Sequence, residues 1–426
     1  MNRTFERWLP WLLVALAIPV WLVALNVGPL SERTITDIPV YQDAWRAIAD
    51  GGIPYRDFNL EYPPLAAALF WLAGALPMPY AVAFATLMFA CLAACIVAVV
   101  RMAQVMDTTP LRRIGAGGAG APAPVLLGSV LGTRYDLALA AALAWMLWAA
   151  LTERFRLMWT LLAVAVLIKL VPLALIPILV IWQRHHRGLG AAVKGAAASL
   201  AAVVVVFAPF VMLSPSGTWR LFSYHLDRPL QLESVGASYL LGLHALADIP
   251  LHIEHSFGSQ GLGGRGPAVI AGIATAVLLG LLAAIAISLS IGLRRARPPG
   301  DAGLFMAASC ASVVALLVGG KVLSPQFMIW LLPVAFLVTG RYGRATFALA
   351  IGAMLLTVLY FPYFYWDLVA LDPWAIAILV ARDACLIALL AACWPRPSIA
   401  RRPRGWMFDS GRPAGERAIA ARYLID

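Results

Sequence analysis

Residues 8–30 read WLPWLLVALAIPVWLVALNVGPL, and residues 31–64 continue SERTITDIPVYQDAWRAIADGGIPYRDFNLEYPP. The first stretch holds no charged residue. At about 1.5 Å per residue it is long enough to cross a hydrocarbon core of about 30 Å. It is too long for the apolar part of a secretory signal, and no small-residue cleavage site follows, so it reads as a retained first helix. The second stretch changes character at once. It carries six carboxylates (Glu32, Asp37, Asp43, Asp50, Asp57, Glu61) and ends in Pro63-Pro64. A span that empties into a long acidic loop is the pattern against which the rest of the chain is read.

The composition repeats that pattern. The 426 residues are 62% hydrophobic and only 12% charged, against about 25% charged in soluble domains. So little charge cannot cover soluble cores, and so much apolar residue excludes disorder. Further apolar runs of spanning length lie at 79–101, 195–213, 267–293, 302–320, 345–363 and 374–394. Shorter runs lie at 119–133, 137–152, 157–168, 170–182 and 327–339. Helices that stop part-way are tolerated where their ends line a cavity. The run 64–76, between Pro63-Pro64 and Pro77, reads as a short helix that does not cross. The expected fold is an all-α polytopic membrane protein of about twelve crossings, several short or broken. It forms one membrane domain over 1–394 with long outer loops at 31–63 and 214–266, neither large enough for a separate soluble domain. The Arg- and Pro-rich segment 395–426 is expected to be a basic cytoplasmic tail.

The net charge of +11 is a topology signal. With the N-terminus inside, 22 of the 32 Lys and Arg fall on inner segments, nine on outer ones, and Arg382 lies within the last run. Acidic residues run the other way, with 13 outside and seven inside. The positive-inside rule then places both termini in the cytoplasm of a plasma (inner) membrane. A charge spread along short inner loops removes the case for a nucleic-acid partner. All five cysteines sit in apolar runs without metal-type spacing, as small hydrophobes do.

Candidate chemistry gathers outside. Tyr41, Trp45 and Ile48 share one helical face, which suggests a helix lying in the bilayer interface with its aromatic side down and ended by Gly51-Gly52. Asp43, Asp50 and Asp57 then read as solvated. Asp37, just beyond the first span, is placed to take a proton from a hydroxyl at the bilayer surface. Lysine is scarce, with three against 29 Arg, and Lys169 and Lys321 both stand at outer helix ends shortly before a proline. A compact ammonium suits a phosphate; the alternative is a side chain snorkelling to the interface. Arg228 and His225 in the second loop, and Arg134 and Asp136 between two short runs, are further polar candidates, the last two equally readable as helix caps. Arg382 and Asp383 are neighbours in sequence and do not face each other on a helix, so each should find a partner elsewhere. His252-Ile-Glu-His255 lacks a third ligand, and Gly115–Gly120 lacks the Lys-Ser/Thr of a phosphate loop.

Asp37-Ile-Pro-Val-Tyr41, Pro54-Tyr55 and Leu60-Glu-Tyr-Pro-Pro64 together resemble the first outer loop of GT-C glycosyltransferases, closest to glycosyltransferase family 87, the polyprenyl-phosphate-mannose-dependent mannosyltransferases. Lys169-Leu-Val-Pro172, His225-Leu-Asp-Arg-Pro-Leu-Gln-Leu-Glu-Ser234 and Lys321-Val-Leu-Ser-Pro-Gln326 extend the resemblance over roughly residues 10–395. The family pattern has Phe-Thr-Tyr-Pro-Pro where this chain has Leu60-Glu61-Tyr62-Pro63-Pro64, an extra carboxylate that bears on the acceptor or sugar. The resemblance implies inverting transfer of a hexose, mannose first, from a polyprenyl-phosphate donor to a hydroxyl of a glycolipid or polysaccharide acceptor on the outer face. Asp37 matches the base position. Tyr41, Glu61, Tyr62, Arg134, Asp136, Lys169, His225, Arg228, Glu233, Lys321 and Gln326 are the expected substrate-binding residues, with no metal or cofactor. The alternative is a transporter or flippase for a lipid-linked precursor, for which internal repeats and midplane charges are the usual signs.

Overall fold

The computed structural model of the protein describes residues 3–27, 31, 35–296 and 300–396. The tail beyond residue 396 and part of the first loop lie outside these. The chain runs through α1 (Arg3–Asn26), α2 (Ile38–Ala49), α3 (Pro64–Gly74) and α4 (Tyr80–Val105). A stair of short pieces follows: α5 (Pro110–Gly118), α6 (Ala123–Leu127), α7 (Val130–Thr133), α8 (Asp136–Leu151), α9 (Phe155–Ile168), a 3-10 turn at Val171–Leu175, and α10 (Ile176–Arg187). Then come α11 (Leu189–Leu213), α12 (Pro215–Asp227), β1 (Leu230–Gln231), α13 (Val235–Ala247), β2 (Ile253–Ser256), β3 (Ser259–Leu262) and α14 (Arg265–Leu293). The last third holds α15 (Gly300–Gly319), 3-10 turns at Pro325–Leu331 and Ala335–Leu337, α16 (Gly343–Tyr360), α17 (Tyr365–Val369) and α18 (Pro373–Cys393).

Among the described residues, seven helices are long and apolar enough to span a membrane, namely α1, α4, α11, α14, α15, α16 and α18, and they are the seven long runs of the sequence. The short runs break where the backbone chemistry requires it. Gly128, at φ 59°, separates α6 from α7, and Pro172, which has no N–H to donate, sits in the 3-10 turn before α10. α3 has 11 residues and spans about 16 Å, half a bilayer core. In α15, 78% of the most apolar stretch is buried, against 11% in α11 and α14. α15 is therefore the central strut, and α11 and α14 are peripheral, with apolar surfaces left uncovered by the protein.

The second long loop is more structured than its composition suggests. Along with α12 and α13 it holds a three-stranded antiparallel sheet of order β1-β3-β2, with Leu230 opposite Leu262 and Ile253 also opposite Leu262. Phe257 and Gly258 turn the β2–β3 hairpin at φ 51° and 65°, the paired left-handed geometry that matches strand twist. α13 is apolar and packs on α18, α14 and α15.

Charged ends sort onto two faces. On one, Arg113 pairs with Glu6, Arg112 donates to the Val338 carbonyl, and Gln104 donates to the Glu6 carbonyl at 2.9 Å. Glu153 with His186 and Arg187 belongs to the same set of arginine-rich ends. On the other face lie Asp37, Arg134, Lys169, His225 and Lys321, at the ends the charge bias grouped together.

Candidate active site

Asp37 is the N-cap of α2, yet its carboxylate makes no capping hydrogen bond. An N-cap acid usually bonds the N2 or N3 amide. Here Pro39 occupies that first turn and has no N–H, so the carboxylate turns elsewhere. Its Oδ1 lies 2.5 Å from Arg134 Nη1, and its Oδ2 accepts from the Tyr41 hydroxyl at 3.2 Å. The side chain keeps 31% of its surface exposed while that of Arg134 keeps 7%. A carboxylate has about four lone-pair sites, so lone pairs remain on the accessible side. Arg134 also donates to the Ile35 carbonyl at 3.4 Å, tying the loop to the start of α8.

Tyr41 is fully buried. Its ring stacks on Phe70 at 4.3 Å and meets Phe84, Tyr62 and Tyr135 within 5.8 Å. Burial and the nearby Asp37 carboxylate raise its phenol well above the usual range, so it remains a proton donor to Asp37. The aromatic face of α2 is thus turned onto α3 and α4, not into the bilayer interface. Tyr41, expected among the binding residues, is buried and supports Asp37 through its hydroxyl.

Asp136 opens α8 and is fully buried. Its Oδ1 accepts from Lys169 Nζ and from Trp330 Nε1, both at 2.7 Å. A carboxylate at a helix N-terminus and an ammonium at the C-cap of α9 each suit the local dipole. Lys169 Nζ also lies over the rings of Phe327, Tyr135 and Trp330 at 4.7, 5.0 and 5.2 Å. Lys169 is therefore neither snorkelling nor an open point charge. It is a caged cation whose first partner is Asp136.

The second loop closes over the first. Gly217 on α12 sits so near Tyr55 that a Cβ there would lie 1.7 Å from the Tyr55 carbonyl oxygen. Arg220 donates to Asn59 at 3.1 Å. Glu61 meets Tyr224 and His225. Burial, then the charges of Arg228 and Lys169, push His225 down to about 4; its imidazole is neutral at pH 7. Arg228 donates to Ser259 Oγ at 2.8 Å and lies over the Tyr224 ring. Lys321 donates to the Leu226 carbonyl at 2.6 Å, capping the end of α12 with one of its three protons. The charges of Lys169, Arg228 and Lys321 all bear on His225. Half-buried Gln326 accepts from Ser324 Oγ at 2.8 Å, and Tyr62 packs edge-on against Tyr135.

Glu233, another of the expected binding residues, lies within the protein. It is 2% exposed and accepts from Gln231 Nε2 at 2.7 Å and Tyr360 OH at 2.9 Å. Gln231 in turn donates its N–H to the Lys321 carbonyl and accepts from Leu323 N–H. Arg382 donates to the Glu233 carbonyl at 2.5 Å, and Asp383 accepts from Ser238. Arg382 Nε and Asp383 Oδ1 are also 2.5 Å apart, although neither atom makes a well-aligned hydrogen bond. Each therefore has a partner elsewhere, as expected, but against expectation the two neighbours also form an ion pair with each other. Asp43 pairs with Arg46, and Asp57 with Arg56 and the Ile53 amide, both outside the cluster. Tyr135, Phe327 and Trp330, which complete the cage, carried no signal in the sequence beyond their position beside expected residues.

An apolar cavity of about 220 Å³ opens beside Asp37, lined by Leu25, Thr36, Ile38, Pro39, Ala81 and Gly132 among others. The arrangement can take a proton at Asp37, counter an anion near His225, and receive an apolar chain alongside.

The family model of glycosyltransferase family 87 matches residues 60–320. No curated protein matches the chain. The crystal structure of ArnT from Cupriavidus metallidurans bound to undecaprenyl phosphate is similar at 17% identity and a TM-score of 0.36, over 89% of this chain and 76% of that one. At that similarity no residue of one is equated with a residue of the other. The matched stretch is more than half of the chain and holds most of the site from Glu61 to the edge of the Lys321 loop: this multi-pass membrane protein belongs to glycosyltransferase family 87.

Proposed function

We propose that the protein transfers a hexose, mannose first, from a polyprenyl-phosphate donor to a hydroxyl of an envelope glycolipid or polysaccharide at the outer membrane face. The observation that carries this reading is an accessible, Arg134-held carboxylate in the same loop system as three cations whose charges bear on His225, with Lys321 bonded to the Leu226 carbonyl beside it. Asp37 accepts the acceptor proton as the oxygen attacks the anomeric carbon. The bond to the donor phosphate breaks on the opposite side, so the centre inverts. Charge on the departing polyprenyl phosphate is countered by Arg228, Lys321 and, through its cage, Lys169, in a setting prearranged for it. His225, neutral, donates or accepts a hydrogen bond and adds no charge. Polyprenyl phosphate is a fair leaving group, so these residues suffice in principle without a metal. The apolar cavity beside Asp37 lets a lipid chain lie alongside the reacting groups. Family membership favours this over transport of a lipid-linked precursor.

A donor screen tests it. Purified protein is given synthetic polyprenyl phosphates carrying mannose, glucose or galactose together with a membrane glycolipid extract, and released polyprenyl phosphate is measured. Acceptor-dependent release from the mannose donor, faster than from the others, is the expected result. Release from none of the donors rejects the reading; preference for another hexose rejects mannose alone.

A further inference from the structure

We infer that His185, His186 and Asp301 form a transition-metal site that fastens the end of α10 to the start of α15. α10 ends Arg184-His185-His186-Arg187, and α15 begins Gly300-Asp301. One ligand atom from each of the three residues lies within 4.8 Å of the others. Small side-chain rotations close that spread around an ion held at about 2 Å from each ligand.

His186 supplies the independent sign. Its Nδ1 faces Glu153 Oε1 at 3.7 Å, and the other Glu153 oxygen accepts from Arg187 at 3.0 Å. Its Nε2 is buried and has no hydrogen-bond partner among the described residues. A buried polar atom without a partner is costly and calls for an explanation. With Nδ1–H turned towards a carboxylate, Nε2 carries the lone pair, which is the tautomer and orientation that metal-bound histidines commonly adopt. The ring is clamped by Trp182 at 4.3 Å and flanked by Phe155 at 6.1 Å. Asp301 is 6% exposed; one of its oxygens accepts from the Ala302 amide at 2.8 Å, which leaves lone pairs for an ion.

Two imidazoles and one carboxylate suit Zn²⁺, Co²⁺ or Ni²⁺, whereas Mg²⁺ and Ca²⁺ prefer oxygen throughout. Three protein ligands leave a fourth position for water. Asp301 and Lys321 stand at opposite ends of α15, about 30 Å apart along the helix, so the ion would take no part in sugar transfer. It would lock α10 to the central, most buried helix at the arginine-rich face. Nothing in the sequence links a His-His pair to an aspartate more than a hundred residues later; the pairing of α10 with α15 brings them together.

The test uses full-length protein without a polyhistidine tag, purified in detergent, stripped with EDTA and titrated with Co²⁺. One Co²⁺ per chain, with the visible absorption of a four-coordinate ion and displacement by Zn²⁺, is expected. Zn²⁺ should also raise the melting temperature of the wild type. His186→Ala and Asp301→Asn should each weaken binding at least tenfold, and His252→Ala should leave it unchanged. No saturable binding by the wild type overturns the proposal without recourse to any variant. So does binding that survives both His186→Ala and Asp301→Asn, or that disappears in His252→Ala.

Discussion

The cations of the candidate site differ in what they already hold, and that separates their predicted phenotypes. Lys169 neutralises buried Asp136, so Lys169→Gln strands a carboxylate as well as removing a phosphate contact. Removing one partner of a buried pair costs about 3–5 kcal/mol. That variant should lose melting temperature together with activity. Among the described residues, Arg228 holds Ser259 and the Tyr224 face and no buried carboxylate. Arg228→Gln should melt normally and weaken donor use roughly ten- to a hundredfold, since a charge-assisted bond is worth about 1.5–3 kcal/mol. Donor kinetics and thermal unfolding of the two variants, run side by side, check this; normal donor kinetics in Arg228→Gln would remove it from the phosphate cluster. Glu233 gives a pH prediction. Burial raises it to about 7, partly offset by Arg382, whereas the unfolded chain releases that proton in the ordinary carboxylate range. Folding therefore takes up a proton between about pH 5 and 7, and stability should fall as pH rises through that window and level off above it. Glu233→Gln should flatten the slope of melting temperature against pH. The role proposed for Asp37 came from the family resemblance; its position at the outer end of the first span, two residues before Pro39, was legible in the sequence. The burial of Glu233 was not, because its partners Tyr360 and Arg382 are more than a hundred residues away.

At the scale of elements, the site exists only where two loops are pressed together. α12 approaches the first loop through Gly217, where a side chain would collide with the Tyr55 backbone, and Tyr55 in turn donates to the Tyr62 carbonyl at 2.6 Å. Gly217→Ala must push α12 away from the first loop or distort it. We expect at least a tenfold loss of transfer with the protein still inserted and folded, because His225 and Arg228 at the far end of α12 would shift relative to Asp37. Gly242→Ala, in open space on α13, is the control, and equal activity in both variants would show that the loops do not need this contact. The seven long helices were legible from apolar run length alone. α12, α13 and the small sheet were not, since a 13-residue apolar helix flanked by polar turns has the composition of an ordinary loop, and α13 becomes stable through its packing on α18. The aromatic face of α2 was read correctly as a face, but its partner was misread. Periodicity shows that a stripe is buried without showing whether protein or lipid buries it.

At the scale of the molecule, the charge bias divides the helix ends into two sets, and the packing keeps those sets apart, with Asp37, Lys169 and Lys321 on one face and Glu6, Arg113 and Glu153 on the other. In a background free of native cysteines, Asp43→Cys should react with an impermeant thiol reagent from outside intact cells, and Arg344→Cys only after permeabilisation; the reverse pattern would invert the membrane orientation and place the site inside. Fold class and family were legible because span length, loop charge and motif order survive in the linear sequence. The caged state of Lys169 was not, because Phe327 and Trp330 come from a distant 3-10 turn. The most direct test of the central claim is the rate of polyprenyl-phosphate release by Asp37→Asn, compared with the wild type in matched reconstituted membranes, alongside donor binding. A positioned base contributes typically 10²–10⁴-fold, so release should fall at least about a hundredfold while donor binding persists and Asp43→Asn stays near the wild type. Release by Asp37→Asn at the wild-type rate would contradict the account and move the base elsewhere, with Glu61 the next carboxylate along the same loop.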